Sequence, residues 1–469
     1  MKKMRQTLAL LLAGALTVGS FAGCGGSKAG GETAGTETAG TEAAGTAASG
    51  SDTPLVIAND GMSEKFSPFF VESVPDQNIV DVTQISLVYN DRSGEFIYNG
   101  IEGETTSYNG TDYTYYGPTD LTITENEDGT VYYDFKLRDD LTFSDGEPVT
   151  ADDIIFSFYV FCDPTYDGSA SVYSLPIEGM EEYRSGMSTL ASLLAAAGED
   201  NTEFTFWDAV NDGGAAFAQE IVDYCAENGV SEEGDVAGAA AQWGFDGLAA
   251  DATAKDFFMA IGDKYGWSFT AMEAESAGSA LSDLIPEDVY AYATEGVETG
   301  DAAANISGIQ KLDDKTVRVV LTEVSAPALQ TMDIQIAPLH YYGDESQYDY
   351  DNNQFGFTKG DLSAIREKTT APLGAGPYVF KSYENKTVYL EANESYYKGA
   401  PVTKELQFKE TAEADKLPGV VQGTVDISDP SISKEVMAQI CSENSNGEAS
   451  GDVLTTALYD NNGYGYIGI

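Results

Sequence analysis

The sequence predicts an α/β fold, and three features carry that expectation. A strand over Phe135–Leu137 passes through a tight turn at Ser144-Asp145-Gly146 into a helix starting after Thr150. Residues 53–186 around this unit read as β-rich, with paired strands and glycine turns. Residues 187–304 then become Ala-rich and acidic, with only Lys255 and Lys264 as basic residues, a composition suited to helices. At 469 residues the chain is long enough for at least two domains.

The N-terminus reads as a targeting segment. Lys2, Lys3 and Arg5 precede an apolar run from Leu8 to Val18, too short to span a bilayer as a helix. Phe21-Ala22-Gly23-Cys24 follows and resembles a bacterial lipobox, which implies cleavage before Cys24 and lipidation of that cysteine. The alternative is an ordinary signal peptide with an incidental cysteine. Residues 25–52 hold Gly, Ala, Thr, Ser and Glu but no large apolar residue, so they are expected to form a flexible tether.

Beyond the tether, Thr53–Asn59 reads as a short strand. Leu121–Thr124 and Val131–Leu137 flank a hairpin turn with Asp128-Gly129 at its tip. Tyrosine is unusually frequent around Tyr108–Tyr133. The Thr150 helix has Asp153 three residues on, a loose capping box, and places Ile154, Ile155, Phe158 and Phe161 at amphipathic spacing before Asp163-Pro164 ends it. In the Ala-rich block, helices are expected over Ala215–Asn228, Ala254–Tyr265 and Leu281–Tyr292, the first two closed by Gly229 and Gly266. Trp207, Trp243 and Trp267 all lie in this block and are read as its own small core. Ile309–Leu321 is a second hairpin, and Leu406–Lys409 a further strand.

The stretch FKLRDDLTFSDGEPVTADDIIFSFYVFCDPTYDGS, Phe135–Ser169, resembles the family 5 solute-binding proteins of ABC transporters, in particular the peptide and oligopeptide group. Its strand ending F-x-L-R, its F-x-D-G-x-P-x-T-A-x-D turn, its helix and its D-P follow that family's pattern. IAPLHYYG at Ile336–Gly343, LGAGPYVF at Leu373–Phe380, VYLEANESYYKGAP at Val388–Pro401 and GTVDI at Gly423–Ile427 resemble later family elements in family order. The resemblance implies a two-lobed fold of the type II periplasmic-binding-protein kind. It implies a signal peptide over 1–23 and a lipidated tether over 24–52. The first lobe would comprise 53–186 and 305–410, interrupted by a helical insertion over 187–304. The second lobe would be only begun over 411–469, since family members continue well past Ile469.

The implied function is extracytoplasmic capture of a peptide and delivery to an ABC permease, without cofactor or covalent chemistry. Other solutes, such as nickel chelates or sugars, and a role as an adhesion or signalling receptor stay open as alternatives. In FSPFFVESVPDQN, Phe66–Asn78, the resemblance places the backbone of Glu72, Ser73 and Val74 beside a bound peptide as an added strand. The other reading is a surface loop held by Pro68 and Pro75. LYDNNGYGYIGI, Leu458–Ile469, resembles the second-lobe strand along the cleft, with Tyr464 and Tyr466 on one strand face. An Asn462-Gly463 hairpin turn is the rival reading. Tyr173, after the D-P, is a further candidate.

The net charge of −53 offers no basic stripe to replace nucleic-acid counterions, which excludes that partner class. His340 is the only histidine, and no G-x-S-x-G elbow accompanies it, so a hydrolase triad has little support. It reads as a turn residue. No HExxH or CxxC is present, and no metal site is expected. Cys162, Cys225 and Cys441 are widely spaced, and read as small buried residues rather than a disulfide framework.

Overall fold

The computed structural model describes residues 53–189, 191, 207–294, 296–298, 300 and 302–457. Cys24, Tyr464 and Tyr466 lie outside them. Among the described residues two four-stranded sheets organise the chain. The first holds β1 (Leu55–Asn59), β12 (Glu405–Glu410), β11 (Thr387–Ala392) and β10 (Tyr378–Glu384) in that order. β1 runs parallel to β12, with Leu55 opposite Leu406 and Asn59 opposite Glu410, and the other pairs are antiparallel. Helix α1 (Val74–Thr83) packs on this sheet, and Phe66, Ile79, Val388, Leu390, Leu406 and Phe408 form its core.

The second sheet is antiparallel throughout, in the order β4 (Thr119–Glu125), β5 (Val131–Leu137), β9 (Thr316–Leu321), β8 (Ile309–Asp313). In β5, Val131, Tyr133, Phe135 and Leu137 are buried and alternate with more open residues, as a half-buried strand requires. Gly129 (φ +92°) and Gly146 (φ +99°) take left-handed conformations at the two expected turns. Against this sheet lies α2 (Ala151–Cys162). The Asp153 carboxylate accepts from the Thr150 N–H at 2.8 Å and its hydroxyl at 2.9 Å, fixing the helix start. The amphipathic expectation for α2 is corrected: every residue but Asp152 is buried. Apolar segments at Ile334–Tyr342 and Phe355–Ile365 cover the face that would otherwise meet solvent.

The Ala-rich block is a separate helical cluster. Strand β6 (Met187–Thr189) pairs with β7 (Gly296–Glu298), so the two ends of the block stand side by side. Between them run α4 (Trp207–Glu227), α5 (Val236–Trp243), α6 (Ala254–Tyr265), α7 (Phe269–Met272), α8 (Leu281–Leu284) and α9 (Glu287–Thr294). Trp243 and Trp267 are buried in a core of their own with Phe217, Phe257, Phe258 and Ile261. α6 matches its expected bounds, with Thr253 and Asp256 as capping box and Gly266 left-handed at its end.

Two expected helices differ. α4 begins eight residues before Ala215, continuing through Gly213-Gly214. A side chain at Gly214 would meet the Phe258 ring, and one at Gly213 the Leu284 carbonyl, so close packing retains glycines that local propensity disfavours. The expected Leu281–Tyr292 helix is two helices, because Pro286 holds Ile285 extended (φ −95°, ψ 134°).

The Gly423–Ile427 element lies along β1. Asp426 N–H donates to the Val56 carbonyl at 2.7 Å and Ala58 N–H to the Ile427 carbonyl at 2.8 Å. The preceding α11 (Glu413–Gln422) is anchored by buried Lys416, which pairs with Asp60 and Asp429 at 3.0 Å each. Asp60 follows β1, so these contacts hold the start of the 411–469 segment on the first sheet. Cys162 and Cys225 are buried, whereas Cys441 is half-buried, and all three are free.

Candidate ligand-binding site

The segment Phe66–Val74 is fixed from below. Phe66, Ser67, Phe69 and Phe70 are buried. Tyr166 donates its hydroxyl to the Phe69 carbonyl at 2.7 Å, and Ser169 donates to the Val71 carbonyl at 3.3 Å. Arg366 lies 4.2 Å over the Phe70 ring and pairs with Asp167. The loop after α2 therefore carries the Phe66–Val74 segment.

Glu72–Val74 leads into a helix: Val74 opens α1, and Ser73, extended, is its N-cap. Ser73 donates its hydroxyl to Asp76 at 2.8 Å, and buried Asp76 accepts from Ser63 N–H at 3.1 Å. Asn59, at the carboxyl end of β1, donates to the Pro75 carbonyl at 3.0 Å and accepts from Asn78 at 3.0 Å. The site residues thus sit where a strand end meets a helix start. Among the described residues, no hydrogen bond engages the N–H groups of Glu72, Ser73 or Val74. Val74 is 50% exposed, and Glu72 pairs with Lys65 at 2.7 Å.

Tyr173 follows the same loop, on a short 3-10 turn over Val172–Ser174, and is exposed. One ring face is taken by Arg184 at 4.3 Å, whose guanidinium also donates to the Cys162 carbonyl at 2.9 Å. The structure thus brings Phe69–Val71, the residues just before Glu72, against the loop that leads to Tyr173.

Two contributors escaped sequence reasoning. Asp163 is buried, accepts from Thr165 N–H and from Gly360 N–H at 2.8 Å each, and so fixes the Tyr166–Ser169 loop. Burial pushes its carboxyl up, against those hydrogen bonds. The D-P-T triplet was the available signal, since an Asp two residues before a Thr favours this turn. Two groups of the helical block also feel the charge of Glu72. Burial raises Glu273 to about 7, and repulsion from Asp283 and Glu72 adds to the rise. Tyr290 is raised by burial, with Asp167, Glu273 and Glu72 adding to it. Nothing in the sequence signalled this electrostatic coupling to Glu72.

His340 is structural. It lies in α10 (Leu339–Tyr342), with Nε2 2.7 Å from Asp145 Oδ2 and its ring edge-on to Phe143. No group of His, Cys, Asp and Glu suited to a metal occurs among the described residues. No helix among them is long and apolar enough to cross a membrane.

A family profile described as bacterial extracellular solute-binding proteins, family 5, middle part, matches residues 110–229 and 245–464. The chain belongs to the family 5 extracellular solute-binding proteins. The di/tripeptide-binding protein 4 of Pseudomonas aeruginosa is 32% identical over 106 residues, which are 22% of this chain and 17% of that protein. Among solved structures, Haemophilus influenzae OppA in complex with the peptide RPPGFSPFR aligns at 16% identity and TM-score 0.40, over 83% of this chain and 48% of that one. Lactococcal OppA, closed on an endogenous peptide, aligns at 14% identity and TM-score 0.42, over 82% and 46%. Campylobacter jejuni NikZ in complex with Ni(L-His) aligns at 13% identity and TM-score 0.39, over 82% and 45%. This family 5 chain spans just under half the length of these solved structures.

Proposed function

We propose that this family 5 protein captures a peptide or oligopeptide outside the cytoplasm and delivers it to an ABC-transporter permease. The family match over residues 110–229 and 245–464 carries the reading. The unengaged N–H groups of Glu72–Val74 agree with it, since main-chain pairing binds peptides with little regard to sequence. Tyr173, Tyr464 and Tyr466 would add aromatic contacts. Closure would follow from contacts that the ligand makes better in the closed state than in the open one. No bond of the ligand is made or broken. Cys24 would carry the lipid that holds the protein at the outer face of the cell membrane, with residues 25–52 as tether.

Val74→Pro tests the site. Proline suits the first helical position and removes only the N–H, and Ser73 is already extended (φ −115°, ψ 150°) as a residue before proline must be. Calorimetry with a library of short peptides is expected to show affinity reduced about 2–10-fold, the worth of one hydrogen bond, with unchanged thermal stability. Unchanged affinity for every peptide bound would remove Val74 from the site. If no peptide binds the parent protein either, the peptide reading itself fails. In the same cells, Cys24→Ser is expected to move the protein from the membrane to the soluble fraction. Retention at the membrane would show that the anchor lies elsewhere.

The 187–304 block is read as an inserted subdomain. Its separate core and the β6–β7 pairing at its neck support this. Joining Thr189 to Gly296 through a two-residue turn is expected to leave cooperative unfolding intact. Loss of that transition would show that the block is part of the main core.

A further inference from the structure

The tyrosine-rich stretch noted in the sequence is not used by the proposed peptide site. In the fold it builds a cavity of about 190 Å³, lined by Tyr89, Arg92, Tyr113, Tyr115, Tyr116 and Lys398. Strands β2 (Glu104–Tyr108) and β3 (Thr111–Tyr115) form a hairpin that brings Tyr113 and Tyr115 to one wall. The turn after β11 supplies Lys398. Tyr397 beside it reaches back to the Tyr116 carbonyl at 3.4 Å.

Both cations are held by aromatic faces. The Arg92 guanidinium lies 4.2 Å from the Tyr113 ring centre, and the Lys398 ammonium 3.8 Å from that of Tyr89. The Arg92 backbone N–H donates to the Tyr115 hydroxyl at 3.2 Å. Cation–π contact fixes the position of a charge without neutralising it. Lys65, Lys264, Lys311, Arg318 and Lys386 each have a carboxylate partner, whereas among the described residues neither Arg92 nor Lys398 pairs with one. Arg92 and Lys398 are both exposed at the cavity, where an anion from solvent can reach them. Lys398 is an exposed residue, but its ammonium sits 3.8 Å from the Tyr89 ring centre and 5.4 Å from that of Tyr397. Desolvation there lowers it to about 8, and the like charge of Arg138 adds to the fall. A bound anion would reverse that shift.

We propose that this cavity is a binding site for a phosphate monoester. Two positive charges and several phenolic hydroxyls match a group with close to two negative charges and three acceptor oxygens better than they match a single carboxylate. The tyrosine walls leave room for a ring or apolar part next to the phosphate. The phosphate can come from a soluble ester or from a lipid headgroup, and the two sources are separable.

The purified protein would be titrated calorimetrically with inorganic phosphate and with phenyl phosphate. In parallel it would be sedimented with phosphatidylcholine vesicles, with and without phosphatidic acid. Binding of phenyl phosphate is expected, tighter than that of inorganic phosphate, and at least about tenfold weaker in Arg92→Gln and in Lys398→Gln, as for loss of a charged hydrogen bond. Binding only to the phosphatidic acid vesicles, lost in the same variants, would assign the lipid source. A control pair, Lys381→Gln and Lys386→Gln made singly, changes the net charge by the same one unit each but lies outside the cavity. The inference is overturned if neither phosphate nor vesicles bind. It is also overturned if the Arg92 and Lys398 variants bind as the parent does, or if the control pair weakens binding as much as they do.

Discussion

Tyr159→Ala is expected to destabilise the protein by about 3–5 kcal/mol, the range for emptying a buried aromatic site. Tyr159 is fully buried on α2, stacks on Phe355 with ring centres 3.4 Å apart, and meets Tyr183 edge-on at 5.4 Å. Its hydroxyl oxygen accepts from the buried Ile306 N–H at 2.9 Å, which fixes the chain where it returns from the helical block. Tyr159→Phe separates the two contributions. It keeps the ring but leaves the Ile306 N–H unpaired, at a cost of about 1–3 kcal/mol. Denaturant midpoints of both variants measure this. A Phe variant as stable as the parent would mean that the Ile306 N–H finds another partner. Because α2 ends at Asp163, which fixes the loop under Phe66–Val74, the Ala variant should also weaken peptide binding.

Stability should rise as the pH falls from about 8 to about 5, the reverse of ordinary acid denaturation. Three carboxyls drive this: Asp153, raised by burial to about 6, and Glu273 and Asp333, each raised by burial to about 7. In the unfolded chain all three return to near 4. A carboxyl with a raised value in the folded state binds more protons folded than unfolded. Its contribution is fully present below the unfolded value and is lost as the pH rises through the folded value. At about 1.4 kcal/mol per pH unit for each group, the combined effect is on the order of a few kcal/mol. The net charge of −53 acts in the same direction through self-repulsion. Asp333→Asn isolates one group. Asp333 receives the Val88 N–H and the Ser86 hydroxyl, yet Oδ1 has no partner and Asp81 repels it. The Asn variant should be more stable than the parent at pH about 8, by roughly 1–3 kcal/mol, and less sensitive to pH. Thermal unfolding across that range decides it, and a parent curve that is flat or rises with pH would refute the assignment.

The elements legible in the sequence are those fixed by bonds between near neighbours. The alternation in β5, the Thr150–Asp153 cap of α2, the Thr253 cap and Gly266 terminus of α6, and the glycine turns at Gly129 and Gly146 all depend on a few consecutive residues. The break at Pro286 was legible too, since the residue before proline avoids helix. The order of motifs carried the family, and the family profile bears that out.

What the sequence left undetermined are relations between distant residues. Gly213 and Gly214 stay helical because Leu284 and Phe258 press against them. α2 is buried all round because Ile334–Tyr342 and Phe355–Ile365 close over it. Residues 426–427 join β1, some 370 positions away, through backbone hydrogen bonds and through the Asp426 carboxylate, which accepts from the Val56 N–H at 2.8 Å. Lys398 lies over Tyr89 by the same kind of long-range approach. Turns, caps and strand faces follow from local backbone sterics and nearest-neighbour hydrogen bonds, so the sequence alone determined them. Which edge pairs, which helix loses its solvent face and which charge loses its counter-charge depend on desolvation by remote residues, so only the tertiary structure decided them.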